Sequence, residues 1–294
     1  MNGISRRTAA PRVADPPAVE AQPARLVSGS EFAEIRDLAY RTFGLDLKRG
    51  KEALVTARLS KRLAALGLGT IGEYLEILRR DRTGAELTSL IDALATNHTS
   101  FQREPQHFEL LRTRILPAIA ASSGRTGIWS AGCSTGEEPY TILMHAADAL
   151  GEQHLAKLRL LATDISNKAL AEARAGIYPL DKLADLPAEW RKRFLQKGVG
   201  DLKGSFRIRP DLVSKVEFSR LNLMEPFENA GTFRVIFCRN VMIYFDKRTQ
   251  EQLVRRFTAR LEPGGWLLIG HSEGLMGVKN DLEYVMPAVY RRPV

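Results

Sequence analysis

Two short segments carry residues whose types and spacing could do chemistry together. In GIWSAGCSTGEEPY, at 127–140, an apolar run feeds Gly132, Cys133, Ser134, Thr135 and Gly136, and then Glu137, Glu138 and Pro139 stand at a helix start. Glycine at a strand-to-helix turn lets a ligand approach the backbone, and the unpaired N–H groups of a first helical turn face whatever binds there. The adjacent glutamates would repel a diphosphate and suit a cationic or hydroxyl-rich ligand. The second segment, LLATDIS, ends an apolar run on Asp164. An acid at that place hydrogen-bonds ribose hydroxyls in nucleotide-binding α/β folds, although Asp164 is also placed to cap the following helix. Glycine turn, acids and the lack of a phosphate-binding lysine point to an adenosine ligand carrying positive charge, S-adenosylmethionine. Its sulfonium already holds an activated methyl group, so the expected task is alignment of an acceptor, which supplies up to about 7–11 kcal/mol of a barrier. Neither a metal nor a covalent nucleophile is expected.

A competing chemistry uses the same turn. Gly132-x-Ser134-x-Gly136 matches the nucleophile elbow of α/β-hydrolases, and Asp164 or Asp246 and then His271 follow in the hydrolase order. Against this esterase reading, an elbow follows several earlier strands, and nothing upstream of Ile128 reads as one. The histidines, His98, His107, His145, His154 and His271, show no H-E-x-x-H or other metal-ligand spacing. Cys133 and Cys238 are too few and too far apart for a disulfide framework, which suits a reducing cytoplasm. There the glycosylation sequon Asn97-His98-Thr99 is accidental.

These residues need elements to position them. Residues 1–27, rich in Ala and Pro, read as a disordered tail. From Ser28, a capping-box signature with Glu31 opens a helical stretch, with further helices near 51–66, 71–81, 84–96 and 105–121. After Gly127 strands alternate with helices: strands at 128–131, 158–162, 234–238 and 266–269, helices at 139–150, 168–175 and 247–261, a stop at Glu262-Pro263-Gly264-Gly265, and a last edge strand at 286–291. That grammar predicts a parallel sheet covered by helices. Short strands at 206–209 and 215–218, with Gly198, Gly200 and Gly204 as turn residues, predict an antiparallel hairpin unit appended to it. The whole chain has 294 residues, 44% of them hydrophobic, with 43 basic against 34 acidic side chains and a formal charge of +9. A sizeable core can be buried, no apolar run approaches the ~20 residues of a membrane span, and an acidic partner is favoured. Much of the positive charge lies at 48–82, including Lys48, Lys51, Arg58, Lys61 and Arg62. This is either a solvated helix face or a docking surface. Tyr74 is the one aromatic there, which argues against nucleic acid. A non-catalytic S-adenosylmethionine-sensing module is the alternative from another class.

Across roughly 28–291 the chain resembles the CheR-type chemotaxis methyltransferases. The blocks that carry the likeness are NHTSFQRE at 97–104, GCSTGEEPY at 132–140, ATDIS at 162–166 and FCRNVMIYFD at 237–246. The resemblance implies an all-α, basic, receptor-docking domain at 28–97. It is followed at 98–294 by a Rossmann-like α/β S-adenosylmethionine-dependent methyltransferase domain with a small antiparallel β-subdomain insertion near 194–218. The implied activity is protein-glutamate O-methylation of the cytoplasmic helices of methyl-accepting chemoreceptors, with S-adenosyl-L-homocysteine as product. A receptor C-terminal peptide could add a strand to the insertion. By the same resemblance Asn97, Thr99 and Arg103 lie against the cofactor and catalytic cleft, Glu137, Asp164, Asn222, Leu223, Arg239 and Asn240 line the cofactor pocket, and Tyr244 faces the transfer site. The residue types agree. Arg103 is an always-charged fork suited to a substrate carboxylate, and that carboxylate is anionic at neutral pH, so no general base is needed. Tyr244 as plain core, and Asn240 as a satisfied loop amide, are the plainer alternatives.

Overall fold

The computed structural model describes residues 26–122 and 124–294. The expected tail lies outside the described residues as far as position 25, but its last member does not behave as tail. Val27 is buried and its N–H donates to Thr56 Oγ1 at 2.9 Å, so packing begins before Ser28.

Four helices come first: α1 (Gly29–Phe43), α2 (Glu52–Leu66), α3 (Ile71–Arg80) and α4 (Ala85–Leu94). The anticipated capping box starts α1: Ser28 Oγ accepts the Glu31 N–H at 3.3 Å, and the Ser28 N–H donates to Glu31 Oε2 at 2.8 Å. Thr70 and Glu73 repeat the device on α3. Ile35, Ala39, Val55, Leu59 and Leu90, at helical spacing, meet in one fully buried core. Each large member contributes roughly 1.5–3 kcal/mol on leaving water. α1 ends on Gly44 at φ 71°, where a Cβ would come within 2.6 Å of Met224 Sδ. This helix end therefore seats directly against the second domain.

The expected helix at 105–121 is α5 (Pro105–Leu110), a π-helical turn (Leu111–Ile115) and α6 (Leu116–Ala121). Pro117 stands just past the widened turn; it has no N–H to give and its ring crowds the carbonyl four residues back. There follow β1 (Thr126–Ala131), α7 (Glu137–Leu150), β2 (Leu158–Asp164), α8 (Asn167–Ala175), β3 (Ile177–Pro179), α9 (Ala188–Phe194), β4 (Leu195–Lys197), β5 (Ser205–Ile208), α10 (Pro210–Val213), β6 (Val216–Arg220), β7 (Phe233–Cys238), α11 (Lys247–Arg260), β8 (Leu261–Ile269), β9 (Glu283–Met286) and β10 (Val289–Arg291). The main sheet runs β6-β2-β1-β7-β8-β10-β9, parallel except at β10 and β9. Its central strands are buried on both faces, which is why they read as unbroken apolar runs.

Three expectations are corrected. The strand expected at 215–218 is β6, and it joins the main sheet beside β2, with Leu160 opposite Val216 and Asp164 opposite Arg220. The small antiparallel unit is instead β3-β5-β4, so it opens at Ile177 and not near 194. A short strand does not encode its partner, and the Arg159–Glu217 pair at 3.0 Å that helps seat β6 joins residues far apart in sequence. Finally, the strand expected at 266–269 is β8 and opens at Leu261, directly after α11 ends on Arg260: Glu262 to Gly265 follow the helix end as expected but lie within the strand, whose pairing to β7 shifts register between Phe233 and Val235. Gly264 N–H donates to the Arg292 carbonyl at 3.0 Å and Arg292 N–H to the Gly265 carbonyl at 2.8 Å. These bonds absorb the backbone groups a turn would have left open.

The helical domain is fastened over the C-terminal edge of the sheet. Tyr40 donates to Asp246 Oδ2 at 2.7 Å, the Asp46 N–H to the Tyr244 carbonyl at 2.8 Å, and Asn222 Nδ2 to the Thr42 carbonyl at 2.8 Å.

Candidate functional site

A cleft opens beyond the carboxyl ends of β1, β2, β6 and β7, where an open α/β sheet binds ligands. It encloses about 1040 Å³ including its mouth, room for a nucleoside-sized ligand. Gly132 follows β1 at φ 85°, and a Cβ there would lie 2.3 Å from Val241 Cγ2. The turn is pinned: Gly132 N–H and Cys133 N–H both donate to the Thr163 carbonyl, at 2.7 and 2.9 Å.

Asp164, at the end of β2, is buried beside this turn. Its Oδ2 accepts the Ser134 N–H at 2.8 Å and its Oδ1 the Ser166 N–H at 2.9 Å. Burial pushes its carboxyl above the usual aspartate value, with the two N–H bonds opposing the rise. The capping alternative is answered by geometry, since Ser166 is the residue that caps α8, accepting the Ala169 N–H at 3.0 Å. Ser134 is likewise spent, its Oγ donating to the Asn97 carbonyl at 2.9 Å. His271 stands elsewhere, 4.9 Å ring to ring from His107, so the residues of the hydrolase reading do not assemble.

The opposite wall comes from NHTSFQRE. Asn97, Thr99 and Arg103 all line the cleft. Arg103 is half-buried, and its Nη1 donates to the His98 carbonyl at 2.9 Å. The fork keeps further N–H donors for an anion in the cleft. Arg239 and Asn240 line the cleft from the end of β7, and Arg239 is fully engaged. Its guanidinium meets Glu104 at 3.0 and 3.1 Å, Glu138 at 2.9 Å, and the Arg103 carbonyl. It is a buried strut that fixes the loop presenting Arg103. Burial alone would raise the Glu104 carboxyl, but the His271 N–H and the Arg239 charge outweigh it and hold the group low.

Asn222 and Leu223 also line the cleft, yet the Asn222 amide is committed: it donates to the Thr42 carbonyl and accepts the Met224 N–H at 3.0 Å. Tyr244 borders the cleft and packs against the helical core. Glu137 is the site residue the structure places differently. It is absent from the cleft lining and wholly buried, with one carboxylate oxygen accepting from Thr135 Oγ1 at 2.6 Å and the other paired with Lys182. Its neighbour Glu138 lines the cleft instead. On a helix one residue is a rotation of about 100°, so consecutive glutamates must face different ways.

Sequence reasoning missed three contributors. Phe43, Leu45, Ile91 and Leu94 bring the helical domain into the cleft wall, although in sequence they look like ordinary core positions. Lys182 bridges Glu137 and the Thr99 carbonyl, tying the small-sheet unit to the cleft. Glu273, four residues past β8, accepts the N–H groups of Asn240 at 2.9 Å and Ile243 at 3.0 Å, and so sets the strained Asn240 at φ 59°. An acid beside Gly270 and Gly274 was the signal available for it.

Known proteins place this arrangement. Residues 97–290 match the family described as CheR methyltransferase, SAM binding domain, and residues 30–95 match CheR methyltransferase, all-alpha domain. A chemotaxis protein methyltransferase of Salmonella typhimurium is 41% identical over 265 residues, covering 90% of each chain. One of Borreliella burgdorferi is 40% identical over 273 residues, covering 90% of this chain and 95% of that one. Among solved structures, the glycopeptide N-methyltransferase MtfA complexed with S-adenosyl-L-methionine aligns over 67% of this chain and 68% of its own at 14% identity and a TM-score of 0.34, too slight a likeness to support any inference. With both domains matched in order and the relatives covered nearly end to end, the chain belongs to the CheR methyltransferase family.

Proposed function

We propose that this protein transfers a methyl group from S-adenosylmethionine to glutamate carboxylates on the cytoplasmic helices of methyl-accepting chemoreceptors, as a cytoplasmic protein-glutamate O-methyltransferase. The observation that carries the reading is the cleft itself: a buried ribose-type acid on one wall, Arg103 on the other, and a glycine turn between them that admits no side chain.

These residues fit the cofactor. Gly132 leaves the backbone open to close approach, Asp164 is the acid for ribose hydroxyls, and Glu138 and Asp164 give a positively charged nucleoside an anionic surrounding. Bound there, the cofactor supplies an electrophilic methyl group on a sulfonium. The protein's part is to orient and to exclude water. Arg103 holds the acceptor carboxylate by paired N–H bonds, fixing which oxygen faces the methyl carbon; Arg239, locked between Glu104 and Glu138, keeps the Arg103 loop in place. Tyr244 and Asn97 close the sides. The acceptor oxygen is already anionic, so no proton needs moving.

The exposed stem of α2 supplies a basic face for the acidic receptor helices. An edge strand of the small sheet, β4 or β3, offers unpaired backbone groups to a receptor's C-terminal peptide. No described helix is long and apolar enough to cross a membrane, so the receptor would bring the membrane to the enzyme.

Transfer of labelled methyl from S-adenosylmethionine to a purified receptor cytoplasmic fragment tests the reading. Arg103→Ala is expected to lower kcat/KM about 100-fold, as loss of a charge-assisted bidentate contact would, with a smaller change in cofactor affinity by calorimetry. Near-normal turnover would remove Arg103 from the transfer step, and cofactor binding without transfer to any receptor helix would favour a sensor.

A further inference from the structure

Behind the cleft, on the far side of Arg239, three side chains converge that the methyl-transfer reading does not use as ligands: Glu104, His107 and His271. Glu104 precedes α5, His107 lies in its first turn, and His271 follows β8. One potential ligand atom from each lies within 4.8 Å of the others.

His107 is the observation that needs explaining. Its side chain is completely buried, and neither ring nitrogen has a hydrogen-bond partner. Nδ1 stands 3.5 Å from Glu104 Oε2, and the ring meets that of His271 edge-on at 80°. Buried polar groups are nearly always satisfied, and an imidazole with two idle nitrogens facing a carboxylate and a second imidazole is arranged as a metal site is.

We propose that Glu104, His107 and His271 bind a divalent cation of the zinc class. Two imidazole nitrogens and one carboxylate oxygen form an open three-ligand set suited to Zn²⁺, Co²⁺ or Ni²⁺, whereas Mg²⁺ and Ca²⁺ want oxygen throughout. The charges permit it. Arg239 is positive, but Glu104 and Glu138 both pair with it, so the cluster carries a net negative charge before a cation arrives. A carboxylate has lone pairs enough to serve the guanidinium and a metal at once. His271 is the exposed member, so it provides the way in. Glu104 Oε2 and His107 Nδ1, 3.5 Å apart, already stand at the spacing of two ligands about 2.0–2.2 Å from one tetrahedral zinc ion.

The inference stands apart from the methyl-transfer reading, and its test needs no substrate. Tag-free full-length protein, stripped with chelator, is titrated with Co²⁺ and followed by visible absorption, then challenged with Zn²⁺; thermal unfolding is recorded with and without Zn²⁺. Saturable uptake of one equivalent, displacement by Zn²⁺ and a raised Tm are expected. His271→Ala, exposed and therefore safe for folding, should weaken binding at least about tenfold, as should His107→Gln, while His154→Ala should not. Absence of saturable uptake overturns the proposal. So does uptake by His271→Ala indistinguishable from the parent, which would assign the ion to other ligands.

Discussion

Single side chains in this protein are mostly committed twice, once to the cleft and once to the scaffold. Arg239 borders the cleft while bracing Glu104 and Glu138, and Asn222 borders it while holding the end of α1. His145 shows how burial tunes such a residue. Its Nε2 lies 2.9 Å from Gln102 Oε1, and its ring stacks on Phe108 at 5.1 Å and meets Trp190 edge-on at 4.7 Å. Burial depresses its pKa from the ordinary 6.5 to about 4. Between those two values the unfolded chain binds a proton that the native state refuses, so stability rises with pH there and falls on acidification. The expected loss is about 1.4 kcal/mol per pH unit, or about 2 kcal/mol between pH 6.5 and 5. Urea unfolding midpoints at pH 7 and 5 should therefore separate more for the parent than for His145→Gln; equal separations would show that His145 protonates freely in the fold.

The turn between β1 and α7 decides the site at the scale of elements. Its shape depends on a left-handed Gly132 whose missing side chain lets Val241, from the β7 end, close over it. Gly132→Ala asks the turn for a positive φ and a contact no Cβ makes. A stability loss of about 1–3 kcal/mol is expected, with loss of S-adenosylmethionine binding out of proportion to it. Cofactor calorimetry on a sample shown to be folded checks this, and unaltered affinity would mean that the ligand does not rely on that approach. The basic helix α2 separates into two populations. Arg58 and Arg62, expected as docking charges, work internally: Arg58 bonds the Leu94 carbonyl and Thr96 Oγ1, and Arg62 pairs with the buried Glu86. Lys61, and Lys51 just before the helix, remain exposed. Reversing Lys51 and Lys61 to Glu should weaken receptor binding most at low salt, because exposed charges act through screened fields. Arg62→Ala should instead destabilise the helical domain by about 2 kcal/mol, leaving Glu86 without its partner. A salt-independent affinity in the lysine double variant would return that face to plain solvation.

At the scale of the whole molecule, the two domains share one cavity. Phe43, Leu45, Ile91 and Leu94 form part of its wall, and three hydrogen bonds, from Tyr40, Asp46 and Asn222, pin the helical layer over the sheet's edge. Bonds so distributed hold the layers together, and Gly44, where a Cβ would come within 2.6 Å of Met224 Sδ, leaves no room for a side chain between them.

Local rules were legible in the sequence wherever they act over a few residues. The capping box at Ser28, the helix and strand periods, the glycine turn and the acid ending β2 all follow from backbone sterics and from apolar burial, which neighbours in the chain decide. The motif blocks added the family, and with it most of the cleft. What only the tertiary structure decided concerns residues whose partners are remote. Those are the pairing of β6 with β2, the turning of Glu137 to Lys182, the capture of Arg58 and Arg62, and the meeting of His107 with His271. Charge and hydrogen-bonding capacity are written in a residue's type, but which group satisfies them depends on distances in space, and no spacing along the chain records those.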